Sequence, residues 1–370
     1  MKYRFFFVVF AVAAFLVTGR QGVAQEEFPF EIFGRYLDPL VKQIGIPGVS
    51  AAIIQTDPNG RVKPVVHTYN VGFADVERKV HVTSDTPFPI GGVTQAMTGV
   101  LMGVCIDRFF FQINDNIRAI VPSFPFTTTS VRQVLSHSSD GRFKYDPLLF
   151  TQLTPVVESP GCFKKTFREA IKAEILDRLA LKRTVPGLDL IRPEGAEARA
   201  LFDPAVVEDY RRVLADVAVP YKIDVRLRAT RSEYPSYGLD AASGMVSTVN
   251  DLAEFEKQLD SDDGIPLSSF TLNQMWSNQS FTFTGANGTP FTVVMPTGLG
   301  WFVTKESGQD LVWTFGNIPD AASALIVKLP KKNLTLIMLA NSDGLAKGYD
   351  LENASVTSSP FVKVFLRLFI

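Results

Sequence analysis

Few side chains in this chain could act as a nucleophile, a base or a metal ligand. The 370 residues include three histidines and two cysteines, namely His67, His81, His137, Cys105 and Cys162. Their spacing matches no metal-binding pattern, and neither cysteine has a nearby histidine that could activate a thiolate. We therefore predict no metal site, no cofactor and no catalytic cysteine.

A serine and a histidine stand side by side at Ser136 and His137, which could suggest a hydrolytic pair. Adjacent residues on a helix or a turn do not face each other, so the hydroxyl cannot pass its proton to the imidazole. We predict a structural role for this stretch.

Five short motifs follow one another in order along the chain. They are Phe88-Pro89-Ile90-Gly91, Val134-Leu135-Ser136-His137-Ser138-Ser139, Gly244-Met245-Val246-Ser247-Thr248-Val249-Asn250-Asp251-Leu252-Ala253, Gly298-Leu299-Gly300-Trp301-Phe302 and Leu339-Ala340-Asn341-Ser342-Asp343. Together they resemble the superfamily of serine β-lactamases and penicillin-binding proteins, in particular the β-lactamase-related serine hydrolases near class C enzymes and esterases. The resemblance covers residues from about 30 to 370.

This resemblance implies acyl transfer through a Ser-x-x-Lys motif, in which the lysine lies one helical turn after the serine and handles its proton. A tyrosine of a Tyr-x-Asn element assists, and an edge-strand triad of Lys or His, Thr or Ser, and Gly lines the opposite wall. The matching positions here are Gly92, Gln95, Tyr145 and the triad Thr314-Phe315-Gly316. Gly92 has no side chain, Gln95 has no titratable group, Thr314 replaces the cationic residue, and Pro147 stands where the asparagine is expected.

What remains of such a site is its backbone. The resemblance implies an oxyanion hole made by the N–H groups of Gly92 and Asn317, in a cleft also lined by Tyr145, Phe315 and Gly316. Loss of the nucleophile from a comparable triad lowers turnover by roughly a millionfold. We predict a catalytically inactive protein that binds a peptide, acyl or cell-wall-derived ligand. The alternatives are an esterase, amidase or β-lactamase activity through a substitute nucleophile or water, and a protein-interaction scaffold.

Strand patterns occupy both ends of the chain. Residues 49–57 and 63–76 predict a hairpin with a turn at Asp57-Pro58-Asn59-Gly60, and residues 299–305, 310–316, 322–329 and 334–341 predict an antiparallel meander. The middle, from about 90 to 285, is mostly helical by pattern. This arrangement predicts an α+β fold, with a central antiparallel sheet formed by both chain ends and an inserted helical lobe.

Helical spacing of apolar residues predicts the elements around the site. The residues Val93, Met97, Val100, Leu101 and Val104 predict a buried helix that puts Gly92 and Gln95 on one face, a single turn apart. An amphipathic surface helix is predicted at 167–179, another helix with its N-cap at Asn250, and a last helix at 360–370. We expect this last helix to pack on the sheet, with a peripheral membrane contact as the alternative.

The N-terminus predicts export. Lys2 and Arg4 precede an apolar run at 5–17 and a small-residue site at Gly22-Val23-Ala24, which is typical of a cleaved signal peptide at 1–24 and a mature domain at 25–370. The apolar run is shorter than the roughly 20 residues of a membrane-spanning helix. We therefore predict a periplasmic or secreted protein without a transmembrane span.

The net charge bears on whether nucleic acid is a partner, and the cysteines bear on whether the protein has a disulfide. The formal net charge of -1 gives no electrostatic reason to expect nucleic acid binding, and the sequence has no Lys/Arg cluster that would form a basic patch. Export would place both cysteines in an oxidising compartment, which leaves a Cys105–Cys162 disulfide open. Cys105 lies in an apolar helical stretch, where a free buried thiol behaves as a small hydrophobic group, and we favour that state. The sequence does not indicate which oligomeric state the protein has.

Overall fold

A computed structural model describes residues 21–57, 62–236, 238–260, 265, 267–285 and 287–370, with the side chains of 21–27 excepted. Most of the predicted signal peptide, residues 1–24, lies outside the described residues, and so does most of the turn predicted at 57–60. Within the described ranges, no helix has both the length and the apolar character needed to cross a membrane.

The centre of the protein is a seven-stranded antiparallel sheet. The strands of the described residues are β1 (Gly48–Gln55), β2 (Val65–Asp75), β3 (Val80–His81), β4 (Phe88–Pro89), β5 (Tyr221–Ile223), β6 (Ala229–Arg231), β7 (Val246–Ser247), β8 (Ser280–Thr284), β9 (Pro290–Val294), β10 (Phe302–Glu306), β11 (Gln309–Ile318), β12 (Ala322–Leu329) and β13 (Leu334–Ala340). The sheet order is β10-β11-β12-β13-β1-β2-β3. Strands β4 to β9 form three separate two-stranded pairs, β4 with β7, β5 with β6, and β8 with β9.

The two chain ends meet in this sheet, as predicted. Val49 of β1 pairs with Ala340 of β13, and Val49 also pairs with Val71 of the predicted hairpin. The meander β10 to β13 forms through consecutive antiparallel pairs. Strands β12 and β13 are mostly apolar, and both are buried along their whole length because both faces of the sheet are covered. The fold is therefore α+β with a large antiparallel sheet.

Twelve α-helices surround the sheet in the described part of the chain. They are α1 (Gln21–Ile44), α2 (Thr94–Asp107), α3 (Ile117–Ile120), α4 (Val131–Leu135), α5 (Pro147–Phe150), α6 (Thr154–Glu158), α7 (Phe167–Ile171), α8 (Ala196–Ala200), α9 (Pro204–Ala215), α10 (Val249–Leu259), α11 (Ser269–Met275) and α12 (Pro360–Phe369). A short 3₁₀ turn, Gly91–Val93, leads into α2.

Each face of the sheet has its own core. On one face α1 and α12 pack together, with the rings of Phe33 and Phe365 in an edge contact at 6.4 Å between centroids. The predicted packing of the last helix on the sheet is thus confirmed. On the other face α2 lies buried among the remaining helices, and 12 of its 14 residues are buried. This burial holds the start of α2 in a fixed position against the sheet.

Two helix predictions need correction. Helix α10 begins after Thr248, whose side chain accepts a hydrogen bond from the Asp251 N–H at 3.1 Å, whereas Asn250 bonds to Asp85 instead. The helix predicted at 167–179 is α-helical only through Ile171 and continues as a π-helix over Lys172–Leu176. Both differences arise from local hydrogen bonding that the apolar spacing does not report.

Cys105 and Cys162 form a disulfide, with 5.3 Å between their Cα atoms. The favoured prediction of a free Cys105 thiol is therefore wrong. The last turn of α2 carries Cys105 to the segment that follows α6, and this contact between residues 57 positions apart depends on tertiary packing rather than on spacing. The disulfide ties the far end of α2 to the helical region.

Candidate functional site

The 3₁₀ turn that leads into α2 lies directly against strand β11. A Cβ atom at Gly92 would stand 2.6 Å from the carbonyl oxygen of Phe315 and 2.9 Å from the hydroxyl of Tyr145. A Cβ atom at Gly316 would stand 1.9 Å from the carbonyl oxygen of Ile90. Both distances to backbone oxygen are shorter than van der Waals contact allows, so the two segments approach this closely because glycine occupies both positions.

Gln95 lies within the first turn of α2 and begins a chain of buried hydrogen bonds. Its amide nitrogen donates to the Tyr145 hydroxyl at 3.1 Å, and its amide oxygen lies 3.0 Å from Nε2 of His137. The backbone N–H of Asp146 donates to Nδ1 of His137 at 3.1 Å. Because Nδ1 accepts that bond, we assign the proton to Nε2, which then donates to Gln95.

The side chains of Gln95, Tyr145 and His137, which this hydrogen-bond network joins, are neutral at pH 7. Burial lowers the pKa of His137 to about 4, although the nearby Asp146 opposes the shift. Burial also raises the pKa of the Tyr145 hydroxyl, against the hydrogen bond from Gln95. Removal from water disfavours the charged form in both cases. With an amide between them, the imidazole and the phenol form a polar network without charge.

Aromatic rings hold this network in place. The His137 ring stacks on Phe150 at 5.2 Å between centroids. The Tyr145 ring lies 5.2 Å from Phe315 and 5.8 Å from Phe302. Ring pairs at these separations are typical of well-packed cores. Tyr145 is therefore fixed with its hydroxyl towards Gly92.

The structure brings together most of the residues that the sequence singled out. Gly92, Tyr145 and Gly316 meet as described above, and Phe315 packs on Tyr145. Asn317 is exposed, and its backbone nitrogen would lie 3.2 Å from a Cβ atom at Gly91. Thr314 is 2% exposed, and among the described residues no hydrogen bond joins its hydroxyl to Gly92, Gln95 or Tyr145. Thr314 is the one predicted position that takes no part in the hydrogen-bond chain or the close contacts among the described residues.

His137 is the residue that sequence reasoning missed. As predicted, Ser136 and His137 do not form a pair, because the Ser136 hydroxyl donates to the Arg132 carbonyl oxygen at 2.8 Å. His137 points to Gln95 instead, from a left-handed backbone conformation with φ of 50°. This conformation, unusual for a residue other than glycine, turns the side chain away from its neighbour. The sequence signal for its role was the presence of a histidine in the motif Leu135-Ser136-His137.

The fold and the order of these elements define a protein of the β-lactamase and transpeptidase type. The chain belongs to the beta-lactamase family, since the family model described as Beta-lactamase matches residues 33–358. A protein named "Beta-lactamase" from Escherichia coli (strain K12) is 36% identical over 85 residues. That match covers 23% of this chain and 21% of the relative.

Two solved structures share the fold. The octameric penicillin-binding protein homologue from Pyrococcus abyssi has a TM-score of 0.65 and 21% identity, covering 88% of this chain and 76% of its own. The class C β-lactamase from Rhodobacter sphaeroides has a TM-score of 0.64 and 14% identity, covering 91% of this chain and 99% of its own. At these identities the likeness concerns the fold.

Proposed function

We propose that this protein is a catalytically inactive member of the beta-lactamase family that binds a peptide, acyl or cell-wall-derived ligand in the cleft of Gly92, Tyr145, Phe315, Gly316 and Asn317. The observation that carries the proposal is the packing at Gly92. The position that the family resemblance assigns to the nucleophile has no side chain, and the Phe315 carbonyl and the Tyr145 hydroxyl occupy the space a side chain would need. An attacking serine hydroxyl has no place in this arrangement.

The groups around Gly92 also offer no substitute base. Gln95 cannot take a proton at any ordinary pH, and burial opposes the charged forms of both His137 and Tyr145. A hydroxyl is a poor nucleophile unless an adjacent base or a lowered pKa activates it. The pKa of the Tyr145 hydroxyl is raised, which makes it a poorer nucleophile rather than an activated one. This argues against the alternative of a hydrolase that uses Tyr145.

The ligand class follows from the backbone of the cleft. The N–H groups of Gly92 and Asn317 are the proposed donors, and paired N–H donors of this kind recognise a carbonyl or carboxylate oxygen. Asn317 is exposed and Gly92 is half-buried, so a ligand can approach from the Asn317 side. Binding would fix such an oxygen without a nucleophile to attack its carbon.

We propose in addition that the protein is exported as a periplasmic or secreted protein. Support comes from the positive and apolar N-terminal residues and from the Cys105–Cys162 disulfide, since stable disulfides are typical of oxidising compartments. An exported protein would also meet cell-wall fragments directly.

Enzyme assays and a binding assay test the proposal together. We expect no hydrolysis of a chromogenic ester or of benzylpenicillin above buffer. We expect benzylpenicillin or an N-acetyl dipeptide to raise the melting temperature, since a ligand that binds only the native state stabilises it. Hydrolysis that disappears in Tyr145→Phe would instead support a hydrolase.

Matched variants locate the binding. Asn317→Asp places a negative charge beside the proposed donors and should abolish the thermal shift given by a carboxylate ligand. Asn114→Asp makes the same change at an exposed position between α2 and α3, beyond the far end of α2, and should leave the shift intact. Equal thermal shifts in both variants would show that the ligand does not bind at Asn317. No shift with any probe would favour the interaction scaffold.

A further inference from the structure

The Tyr145 hydroxyl makes one hydrogen bond with the described residues, and in that bond it is the acceptor. The amide nitrogen of Gln95 donates to it at 3.1 Å. A phenol also carries a proton that it can donate. Among the described residues no acceptor takes this proton, although the Tyr145 ring packs on Phe302 and Phe315. The direction of the bond from Gln95 therefore decides what Tyr145 offers to a ligand.

That direction is fixed by a group that can only donate. The backbone N–H of Asp146 donates to Nδ1 of His137 at 3.1 Å, so Nδ1 carries a lone pair. The neutral imidazole then has its proton on Nε2, which lies 3.0 Å from the amide oxygen of Gln95. The opposite orientation of the amide would set two N–H donors against each other at His137. With its oxygen turned to His137, Gln95 turns its NH₂ group to Tyr145.

Every bond in this network therefore runs towards Gly92, and the last proton in it is that of the Tyr145 hydroxyl. A Cβ atom at Gly92 would stand 2.9 Å from the hydroxyl oxygen. Gly92 is half-buried, so a ligand that lies over it meets the hydroxyl. Burial raises the pKa of Tyr145, so the hydroxyl keeps its proton at neutral pH. Tyr145 thus faces the cleft as a hydrogen-bond donor.

We propose that Tyr145 determines the specificity of the cleft, as a fixed donor that selects a ligand group with two acceptor oxygens, a carboxylate or an ester, against an amide. The assignment rests on the proposed function, because it takes the N–H groups of Gly92 and Asn317 as the donors to the first of these oxygens. The second oxygen would accept from Tyr145. A primary amide has an N–H group in its place, which would set a donor against a donor and leave both without a partner.

Three ligands that differ only at the carbonyl carbon test the assignment on the mature protein. They are phenylacetate, methyl phenylacetate and phenylacetamide, titrated at pH 7 and followed by ligand-observed NMR. The acid and the ester should each bind about tenfold more tightly than the amide. The order of the acid and the ester shows which of them is the ligand class, since the nearby Glu352, whose charge also raises the pKa of Tyr145, would repel the acid.

Two kinds of failure are distinguishable in this titration. An amide that binds as tightly as the ester would overturn the assignment and leave the proposed function standing. Its N–H group would then have found another acceptor, such as the Phe315 carbonyl oxygen, which borders the same space at 2.6 Å from the Cβ position of Gly92. Absence of binding by all three ligands, or release of phenylacetate from the ester, would contradict the proposed function and the assignment with it.

Variants tie the discrimination to the hydrogen-bond network. Gln95→Leu removes the group that orients the Tyr145 proton, so the ester and the amide should bind equally. Gln112→Leu makes the same change at an exposed position between α2 and α3 and should keep the wild-type ratio of the two affinities. Should Gln95→Leu fail to fold, Tyr145→Phe decides, because it removes the hydroxyl, keeps the ring and should also abolish the difference. A wild-type ratio in either folded variant would contradict the assignment.

Discussion

Nε2 of His137 donates a hydrogen bond to the amide oxygen of Gln95 over 3.0 Å, and this bond joins segments 42 residues apart. Gln95 stands where the family resemblance expects a lysine. An ammonium has only donors, so a lysine at this position could not accept from Nε2 of His137. The neutral histidine and the neutral glutamine therefore fit each other, and Tyr145 completes the same chain.

The buried His137 should make stability depend on pH. Its pKa is about 4 in the folded protein and 6.5 when unperturbed, so between these values the unfolded chain binds more protons. The free energy of unfolding should therefore fall by about 3 kcal/mol as the pH drops from 6.5 to 4. Urea unfolding of the wild type and of His137→Asn across this pH range measures this dependence. Asparagine is the replacement because it tolerates the left-handed backbone at this position.

The exposed His81 supplies the control for this experiment. His81→Asn should keep the pH dependence of the wild type, whereas His137→Asn should lose most of it. An unchanged pH dependence in His137→Asn would mean that the imidazole is not buried in its neutral form.

Gly92→Ala should destabilise the protein. The new methyl group would lie 2.6 Å from a backbone oxygen of β11, and overpacking of this kind costs about 1–3 kcal/mol. Gly161→Ala is the matched control, because its nearest contact would be 3.8 Å away, and it should change the free energy of unfolding by less than about 0.5 kcal/mol. Equal stability of the two variants in urea unfolding would show that β11 does not press on Gly92.

The sequence could predict the sheet because local signals determine it. Turn residues separate the apolar runs of β10 to β13, and the strands form where those runs lie. The relation between Gly92 and Gln95 was predictable in the same way, since a single helical turn links them. Five motifs in order supported the family in spite of the altered residues.

The remaining contacts depend on tertiary packing. No spacing rule links His137 to Gln95 or Cys105 to Cys162, because each pair meets only after α2 has docked. The closeness of β11 to Gly92 is likewise a distance between two backbones, which the glycines permit but which their positions in the sequence do not predict. The cap of α10 at Thr248 was missed because Asn250, a residue of higher N-cap propensity than threonine, stands two positions later.

The disulfide should be directly detectable. Iodoacetamide added in denaturant should label neither cysteine before reduction and both Cys105 and Cys162 after it, as read by mass spectrometry. Replacing both cysteines with alanine should lower the free energy of unfolding by about 2–4 kcal/mol, because the bridge closes a long loop of the unfolded chain. Labelling without reductant would show free thiols.

Lys328→Met should be strongly destabilising. It removes the cation from between the carboxylates of Glu256 and Asp260 and leaves Glu256 buried and unpaired, a loss that costs about 3–5 kcal/mol. Lys331→Met, at an exposed lysine paired with Asp310, should cost less than about 1 kcal/mol. Urea unfolding compares them. Similar losses in both variants would show that the Lys328 cluster is open to water.

Intact mass shows whether this acyl-enzyme fold has a working nucleophile. The mature protein is incubated with benzylpenicillin and, separately, with a fluorophosphonate probe, and circular dichroism checks that it is folded. We expect an unchanged mass in both cases, because Gly92 carries no hydroxyl to acylate. A stable adduct on the folded protein, localised by peptide mapping, would identify an active nucleophile and contradict this expectation.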